Sequence, residues 1–140
     1  SRGLGDVYKR QPDIICDTGH NVDGIKYVCG HLDFLHQKFN QELHIVFGMV
    51  NDKDISSVLQ ELPKDATYYF TKASVKRALP ENELLALAEE AGLKGTTYPT
   101  VVEAVQAAKK NCPPKDLIFV GGSSFIVADL LANRDTLNLY

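Results

Sequence analysis

The chain has 140 residues, of which 44% are hydrophobic and 24% are charged, and its formal net charge is −3. This length suits one compact domain, and this balance is typical of a globular protein rather than a disordered one. The charge lacks the basic excess of a nucleic-acid-binding domain, and no apolar stretch approaches the roughly 20 residues of a membrane span. We therefore expect neither a nucleic-acid partner nor a membrane partner.

The cysteines and the first residues add two expectations. Cys16, Cys29 and Cys112 are an odd number of cysteines without a C-x-x-C pair, which argues against a disulfide framework and favours a reducing, cytoplasmic location. Residues 1–11 contain two glycines and three basic residues without an apolar period. We interpret them as a non-native leader, with a short native arm as the alternative, and assign the domain to residues 12–140.

After Pro12, short β-branched or apolar runs alternate five times with segments of helical periodicity. In the first helical segment, Val22, Ile25 and Val28 begin a series of apolar positions three or four residues apart, which lie on one helix face. The predicted strands cover residues 13–17, 43–50, 67–71, 96–98 and 116–120, and the predicted helices cover residues 21–39, 52–62, 80–91, 100–111 and 124–131. This alternation predicts an α/β fold, a Rossmann-like three-layer α/β/α arrangement with a mostly parallel sheet of five or six strands.

Ligands of open parallel sheets bind beyond the carboxyl ends of the strands, so polar strand-to-helix junctions are candidate sites. The first junction contains Asp17, His20 and Asn21. A carboxylate can accept hydrogen bonds from ribose hydroxyls and an imidazole can bind an anion, but a polar turn with Asn21 as helix cap explains the same residues. A zinc site that adds Asp23 fits less well, because the helix carries Asp23 away. A Cys16 nucleophile with His20 as base is also weak, because we expect a thiol in an apolar strand to be buried.

Two further junctions can bind anions. Lys53 follows a buried strand, and it can project its charge over the strand ends or be a solvated lysine beside a helix cap. Gly121, Gly122 and Ser123 precede a helix, where they can expose backbone N–H groups to an anion or form a tight turn capped by Ser123. The chain has neither a G-x-x-x-x-G-K-[S/T] loop nor a G-x-G-x-x-G fingerprint.

Four motifs at these junctions, met in chain order, resemble one family. D-T-G-H-N-V-D-G resembles the D-x-A-H-N-P-x-G turn of folylpolyglutamate synthase/dihydrofolate synthase, in the Mur ligase superfamily, and F-G-M-V-N-D-K-D-I resembles its G-M-x-x-D-K-D motif. T-K-A-S-V-K-R-A-L-P is similar to the family's following strand and loop, and V-G-G-S-S-F to its final G-S-L-Y turn. The motifs cover residues 13–132, and all belong to the C-terminal domain of that family.

The resemblance implies an ATP-dependent ligase that joins a folate carboxylate to the amine of glutamate through an acyl phosphate. It implies ATP contacts at Asp17 and Asn21 and glutamate contacts at His20, Lys53 and Ser123, with no catalytic residue and no metal ligand in this chain. ATP and Mg²⁺ act in the complete enzyme, whose N-terminal ATPase domain is the expected partner of this one. This domain alone is expected to be inactive and to bind no cofactor, and the complete enzyme is expected to be a monomer that uses glutamate, ATP and folate.

The sequence also departs from the family pattern. Gly19 replaces an alanine and Val22 a proline, and neither change removes a functional group. The family's Gly-Arg pair, which contacts ATP from an antiparallel strand, would fall near Leu4, so we expect that strand and that ATP contact to be missing. The alternatives are a stand-alone nucleotide- or phosphate-binding module, a receiver-like regulatory domain, and a Mur-type ligase domain for another amino acid. The D-K-D and H-N motifs favour the folate ligase.

Overall fold

The computed structural model describes residues 11–52 and 54–139. Ten elements follow one another as β1 (Asp13–Asp17), α1 (Val22–Phe39), β2 (Leu43–Phe47), α2 (Ile55–Glu61), β3 (Ala66–Phe70), α3 (Glu81–Glu90), β4 (Gly95–Thr97), α4 (Val101–Asn111), β5 (Leu117–Gly121) and α5 (Ser124–Ala132). All the predicted strands and helices are present, with ends shifted by no more than about three residues. The predicted leader lies outside the described residues except for Gln11, and Lys53 also lies outside them.

The strands form one sheet in the order β1-β5-β2-β3-β4, and every neighbouring pair is parallel. This arrangement confirms the predicted α/β fold, with five strands among the described residues. Asp17 and Phe47 both pair with Gly121, and Phe47 also pairs with Phe70. The carboxyl ends of β1, β5, β2 and β3 therefore lie at one level of the sheet.

Helices cover both faces of the sheet, which gives three layers and two hydrophobic cores. Ile45 and Phe47 of β2 belong to the core beneath α1, α2 and α3, whereas Val46 belongs to the core beneath α4 and α5. Because strand side chains alternate between faces, the continuous apolar run of β2 serves both cores. These three side chains are fully buried, and burying each contributes roughly 1.5–3 kcal/mol to folding.

The second strand ends three residues before its predicted end at residue 50. At Gly48 the backbone packs so closely that an added Cβ would lie 2.6 Å from the carbonyl oxygen of Thr71. Val50 then leaves the sheet and forms an isolated antiparallel bridge with Ala78. The apolar run continues across this point, which is why its length misplaces the strand end.

Side-chain caps begin three helices and position the junctions. The hydrogen bonds run from Gly24 N to Asn21 Oδ1 before α1, from Glu103 N to Thr100 Oγ1 before α4, and from Ile126 N to Ser123 Oγ before α5. The caps predicted at Asn21 and Ser123 are confirmed. Gly92 lies two residues after α3 and has a φ of +85°. No helix in the described part of the chain is both long and apolar enough to cross a membrane.

Candidate functional site

The β1–α1 turn, residues 17–24, holds three of the five predicted site residues. The backbone N of Gly19 donates to Asp17 Oδ1 over 2.7 Å, and the N of Gly24 donates to Asn21 Oδ1 over 2.8 Å. These bonds use one oxygen of Asp17 and leave the rest of its carboxylate able to accept from a ligand. Asn21 keeps its amide N–H groups, because the cap uses its oxygen.

His20, like Asn21, is exposed, whereas Asp17 is half-buried. The Nδ1 of His20 donates a long hydrogen bond of 3.4 Å to the carbonyl oxygen of Thr18. Such a bond orients the ring weakly, since hydrogen bonds lose strength at this length. The imidazole can therefore turn towards an anionic ligand at the carboxyl edge of the sheet.

The β5–α5 junction lies beside this turn, because Asp17 and Gly121 pair directly. Gly122 has a φ of +106°, and an added Cβ would lie 2.2 Å from the carbonyl oxygen of Gly48. Only glycine fits this position, since both the left-handed backbone and the close approach exclude a side chain. Ser123, which is 3% exposed, follows it and accepts the N–H of Ile126 over 3.3 Å. Its hydroxyl proton stays available to a ligand at the helix N-terminus, where the helix dipole favours negative charge.

The β2–α2 junction is polar and exposed. Asp52 Oδ1 accepts the backbone N–H of Asp54 over 3.3 Å, and Asp54 begins α2 without a side-chain cap. Asp52 therefore shapes the turn rather than capping the helix. Lys53 stands between these two aspartates in the sequence and lies outside the described residues.

The β3–α3 loop, residues 71–80, completes this edge of the sheet and was not predicted as part of the site. The backbone N and Oγ of Ser74 donate to the carboxylate of Asp129 in α5, over 2.8 Å and 3.0 Å. The N of Asn51 donates to the carbonyl oxygen of Arg77 over 2.7 Å. No local signal points to these contacts, because they join residues far apart in the chain.

The cysteines and the possible metal ligands bear on the two alternatives, a thiol nucleophile and a metal site. Cys16 is exposed on the edge strand β1, so the expectation that it is buried was wrong. Burial raises the pKa of the Cys29 thiol to about 11, with the Asp33 carboxylate adding to the shift. That thiol is therefore a poor nucleophile at neutral pH. Among residues 11–52 and 54–139, no group of three or more His, Cys, Asp or Glu side chains is placed to hold a metal ion.

A family model described as "Mur ligase, glutamate ligase domain" matches residues 6–124, most of the chain. The chain belongs to this family. The resemblance predicted from the four sequence motifs is thereby confirmed.

Several curated proteins and solved structures are similar to this chain. A dihydrofolate synthase/folylpolyglutamate synthase from Buchnera aphidicola subsp. Schizaphis graminum is 32% identical over 132 residues, 92% of this chain and 30% of the relative. A probable bifunctional folylpolyglutamate synthase/dihydropteroate synthase from Haloferax volcanii is 30% identical, over 91% of this chain and 15% of the relative. E. coli FolC in complex with DHPP and ADP is 26% identical with a TM-score of 0.79, over 89% of this chain and 29% of that one. The chain thus spans 30% or less of the length of these proteins.

Proposed function

We propose that this glutamate ligase domain is part of a longer ATP-dependent ligase that adds glutamate to the carboxylate of a folate or dihydropteroate. The observation that carries the proposal is that 92% of the chain aligns with relatives named dihydrofolate synthase/folylpolyglutamate synthase. The E. coli protein of similar fold was solved with ADP, which supports nucleotide binding by the complete ligase. The carboxyl edge of the sheet is where this domain would meet both small molecules.

The proposed reaction has two steps. The γ-phosphoryl group of ATP passes to a carboxylate oxygen of the folate, which gives an acyl phosphate and ADP. The glutamate amine then attacks the acyl carbon; an amide bond forms, the nitrogen loses a proton, and phosphate leaves. Holding the amine against the activated carbon supplies much of the rate of such a reaction. We assign that positioning to this domain and leave phosphoryl transfer and Mg²⁺ to the rest of the ligase.

On the nucleotide side we assign contacts to Asp17 and Asn21. The Asp17 carboxylate can accept from a ribose hydroxyl with the oxygen that Gly19 does not use. The Asn21 amide can donate to the nucleotide, because its oxygen alone serves the helix cap. Both side chains stand on the β1–α1 turn.

On the glutamate side we assign contacts to His20, Lys53 and Ser123. Glutamate carries two carboxylates, which favour charged and short polar donors. His20 is exposed on its turn, and Ser123 stands at the N-terminus of α5. Lys53, which follows β2 in the sequence, would supply a positive charge.

Kinetics of the full-length ligase test the glutamate side. Lys53→Ala should raise the KM for glutamate at least about tenfold and change the KM for ATP by less than about twofold, because one carboxylate loses its counter-charge. Lys94→Ala is the matched control, an exposed lysine before β4 at the opposite end of the sheet. An unchanged glutamate KM removes Lys53 from the site. Ligation of a different amino acid instead of glutamate favours the other Mur-type alternative.

Calorimetry of the 140-residue chain tests the rival function. Our proposal predicts no measurable heat with ATP or ADP, because the partner domain supplies most of the nucleotide site. A stand-alone nucleotide-binding module would instead bind with a Kd below roughly 10 µM. Tight binding by the isolated chain would therefore contradict the proposal.

The last part of the proposal concerns the complete protein: its other domain, its location and its oligomeric state. The family match begins at residue 6 and so includes part of the predicted leader, residues 1–11, whose non-native origin stays a prediction. We propose that an ATPase domain precedes this domain in the complete protein. A genomic reading frame that continues upstream into a glycine-rich phosphate-binding loop supports this, and an intact gene without one contradicts it. We also propose that the complete ligase is a cytoplasmic monomer, and sedimentation at the mass of a dimer would contradict that.

A further inference from the structure

Asp129 in α5 holds the β3–α3 loop by two hydrogen bonds. Ser74 donates its backbone N–H to Asp129 Oδ2 over 2.8 Å and its hydroxyl to Oδ1 over 3.0 Å. Both donors meet a carboxylate, and such charge-assisted bonds are stronger than neutral ones. The pair joins the start of the loop to the helix that Ser123 begins.

The same loop is tied at its other end to the segment that follows β2. Leu79 N donates to the carbonyl oxygen of Met49 over 2.8 Å, and Asn51 N donates to that of Arg77 over 2.7 Å. Ala78 and Val50 form an antiparallel bridge between these two contacts. Hydrogen bonds therefore attach the loop to α5 at Ser74 and to the segment after β2 at Arg77 and Leu79. We call residues 49–52 and 74–79 the linked loops.

We propose that Asp129 is a positioning residue of the ligase. Through Ser74 it holds the linked loops, and so fixes residues 49–52, which precede Lys53 in the sequence, relative to Ser123. The inference rests on the proposed function, in which those two residues meet glutamate. A binding site whose parts are ordered before the ligand arrives pays less entropy on binding, so the effect should appear in glutamate affinity.

A purely structural role would look different. Ser74 is exposed and Asp129 is half-buried, and bonds in such places contribute little to global stability. Loss of the pair should therefore loosen the linked loops while the cores stay folded. A merely structural pair would lower the melting temperature and leave the KM for glutamate unchanged.

Amide hydrogen exchange of the 140-residue chain tests the link itself. Asp129→Ala should speed exchange at the amides of Ser74, Asn51 and Leu79 by roughly tenfold or more, with core amides of α4 unchanged. Ser74→Ala removes only the hydroxyl, so it should give a smaller effect in the same place and serves if the first variant folds poorly. Asp135→Asn, an exposed aspartate beyond α5, is the control. Unchanged exchange in the linked loops of both test variants overturns the inference.

Kinetics of the full-length ligase test the consequence. Asp129→Ala should raise the KM for glutamate by roughly five- to tenfold, with kcat and the KM for ATP within about twofold. Asp129→Asn keeps an acceptor oxygen and should recover most of the affinity. An unchanged glutamate KM despite faster loop exchange overturns the inference. A full-length protein that ligates no glutamate overturns the proposed function instead, and the exchange result then still decides whether Asp129 holds the loops.

Discussion

The carboxyl edge of the sheet is built in two ways. The β1–α1 turn is held by bonds within itself, from Gly19 to Asp17 and from Gly24 to Asn21. The linked loops are held across the fold, from Ser74 to Asp129 and onward to the end of β2. The side chains of the first region can adjust to a ligand. The shape of the linked loops instead depends on partners that are distant in the sequence.

The backbone is packed more closely at the ends of β2 and β5 than in the β1–α1 turn. At the strand ends beside the linked loops, an added Cβ at Gly122 would lie 2.2 Å from a backbone oxygen. An added Cβ at Gly48 would lie 2.6 Å from a different backbone oxygen. In the turn, an added Cβ at Gly19 would lie farther from its neighbours, 3.1 Å from Asp17 Oδ1 and 3.3 Å from the backbone carbon of Gly24. Backbone atoms at such short distances cannot move away, so Gly48 and Gly122 should tolerate an added side chain far less than Gly19 does.

The largest expected effect comes from comparing two glycines. Gly122→Ala should lower the free energy of unfolding by at least about 3 kcal/mol, because it adds a left-handed alanine and a backbone clash. Gly19→Ala should change it by less than about 1 kcal/mol, since its shortest contacts of 3.1 and 3.3 Å need only small shifts. Urea unfolding of the 140-residue chain measures both. Equal losses at the two positions would contradict this difference in packing between the β1–α1 turn and the β5–α5 junction.

A smaller effect should separate the two helix caps. Ser123→Ala should lower the free energy of unfolding by about 1.5–2 kcal/mol, because Ser123 is 3% exposed and Ile126 N would lose a buried hydrogen-bond partner. Asn21→Ala should lower the free energy of unfolding by about 1 kcal/mol or less, because water can reach Gly24 N in the exposed turn. Thermal unfolding ranks the two variants. Thr100→Ala, which removes the exposed cap of α4, is the control and should match Asn21→Ala. A larger loss at Asn21 than at Ser123 would contradict the comparison.

The two regions also differ in how far sequence alone predicts them. The strand–helix alternation and the caps at Asn21 and Ser123 depend on neighbours within a few residues, and both were predicted. The contact between Ser74 and Asp129 joins residues 55 apart, and the bridge of Val50 with Ala78 depends on where β2 ends. Local periodicity carries no information about either. The glutamate and nucleotide roles came only from the resemblance, because polar turns at strand ends are equally well explained by capping.

The smallest expected effect concerns the buried hydroxyl of Thr71, which precedes the linked loops in the chain. Thr71 is fully buried after β3, and among the described residues its Oγ1 is a buried side-chain atom without a hydrogen-bond partner. A buried polar group without a partner costs free energy, whereas a methyl group of similar size does not. Thr71→Val should therefore raise the free energy of unfolding by about 0.5–1 kcal/mol.

Thr18→Val is the matched change in the turn, where the side chain is exposed. It should stay within about 0.5 kcal/mol of the original chain, because water solvates the hydroxyl whether the chain is folded or not. Urea midpoints at constant slope compare the two valine variants directly. A loss of stability in Thr71→Val would mean that a buried water satisfies the hydroxyl. The linked loops would then depend on a bridging water as well as on Asp129. The Thr71→Val variant should in that case also speed amide exchange in these loops.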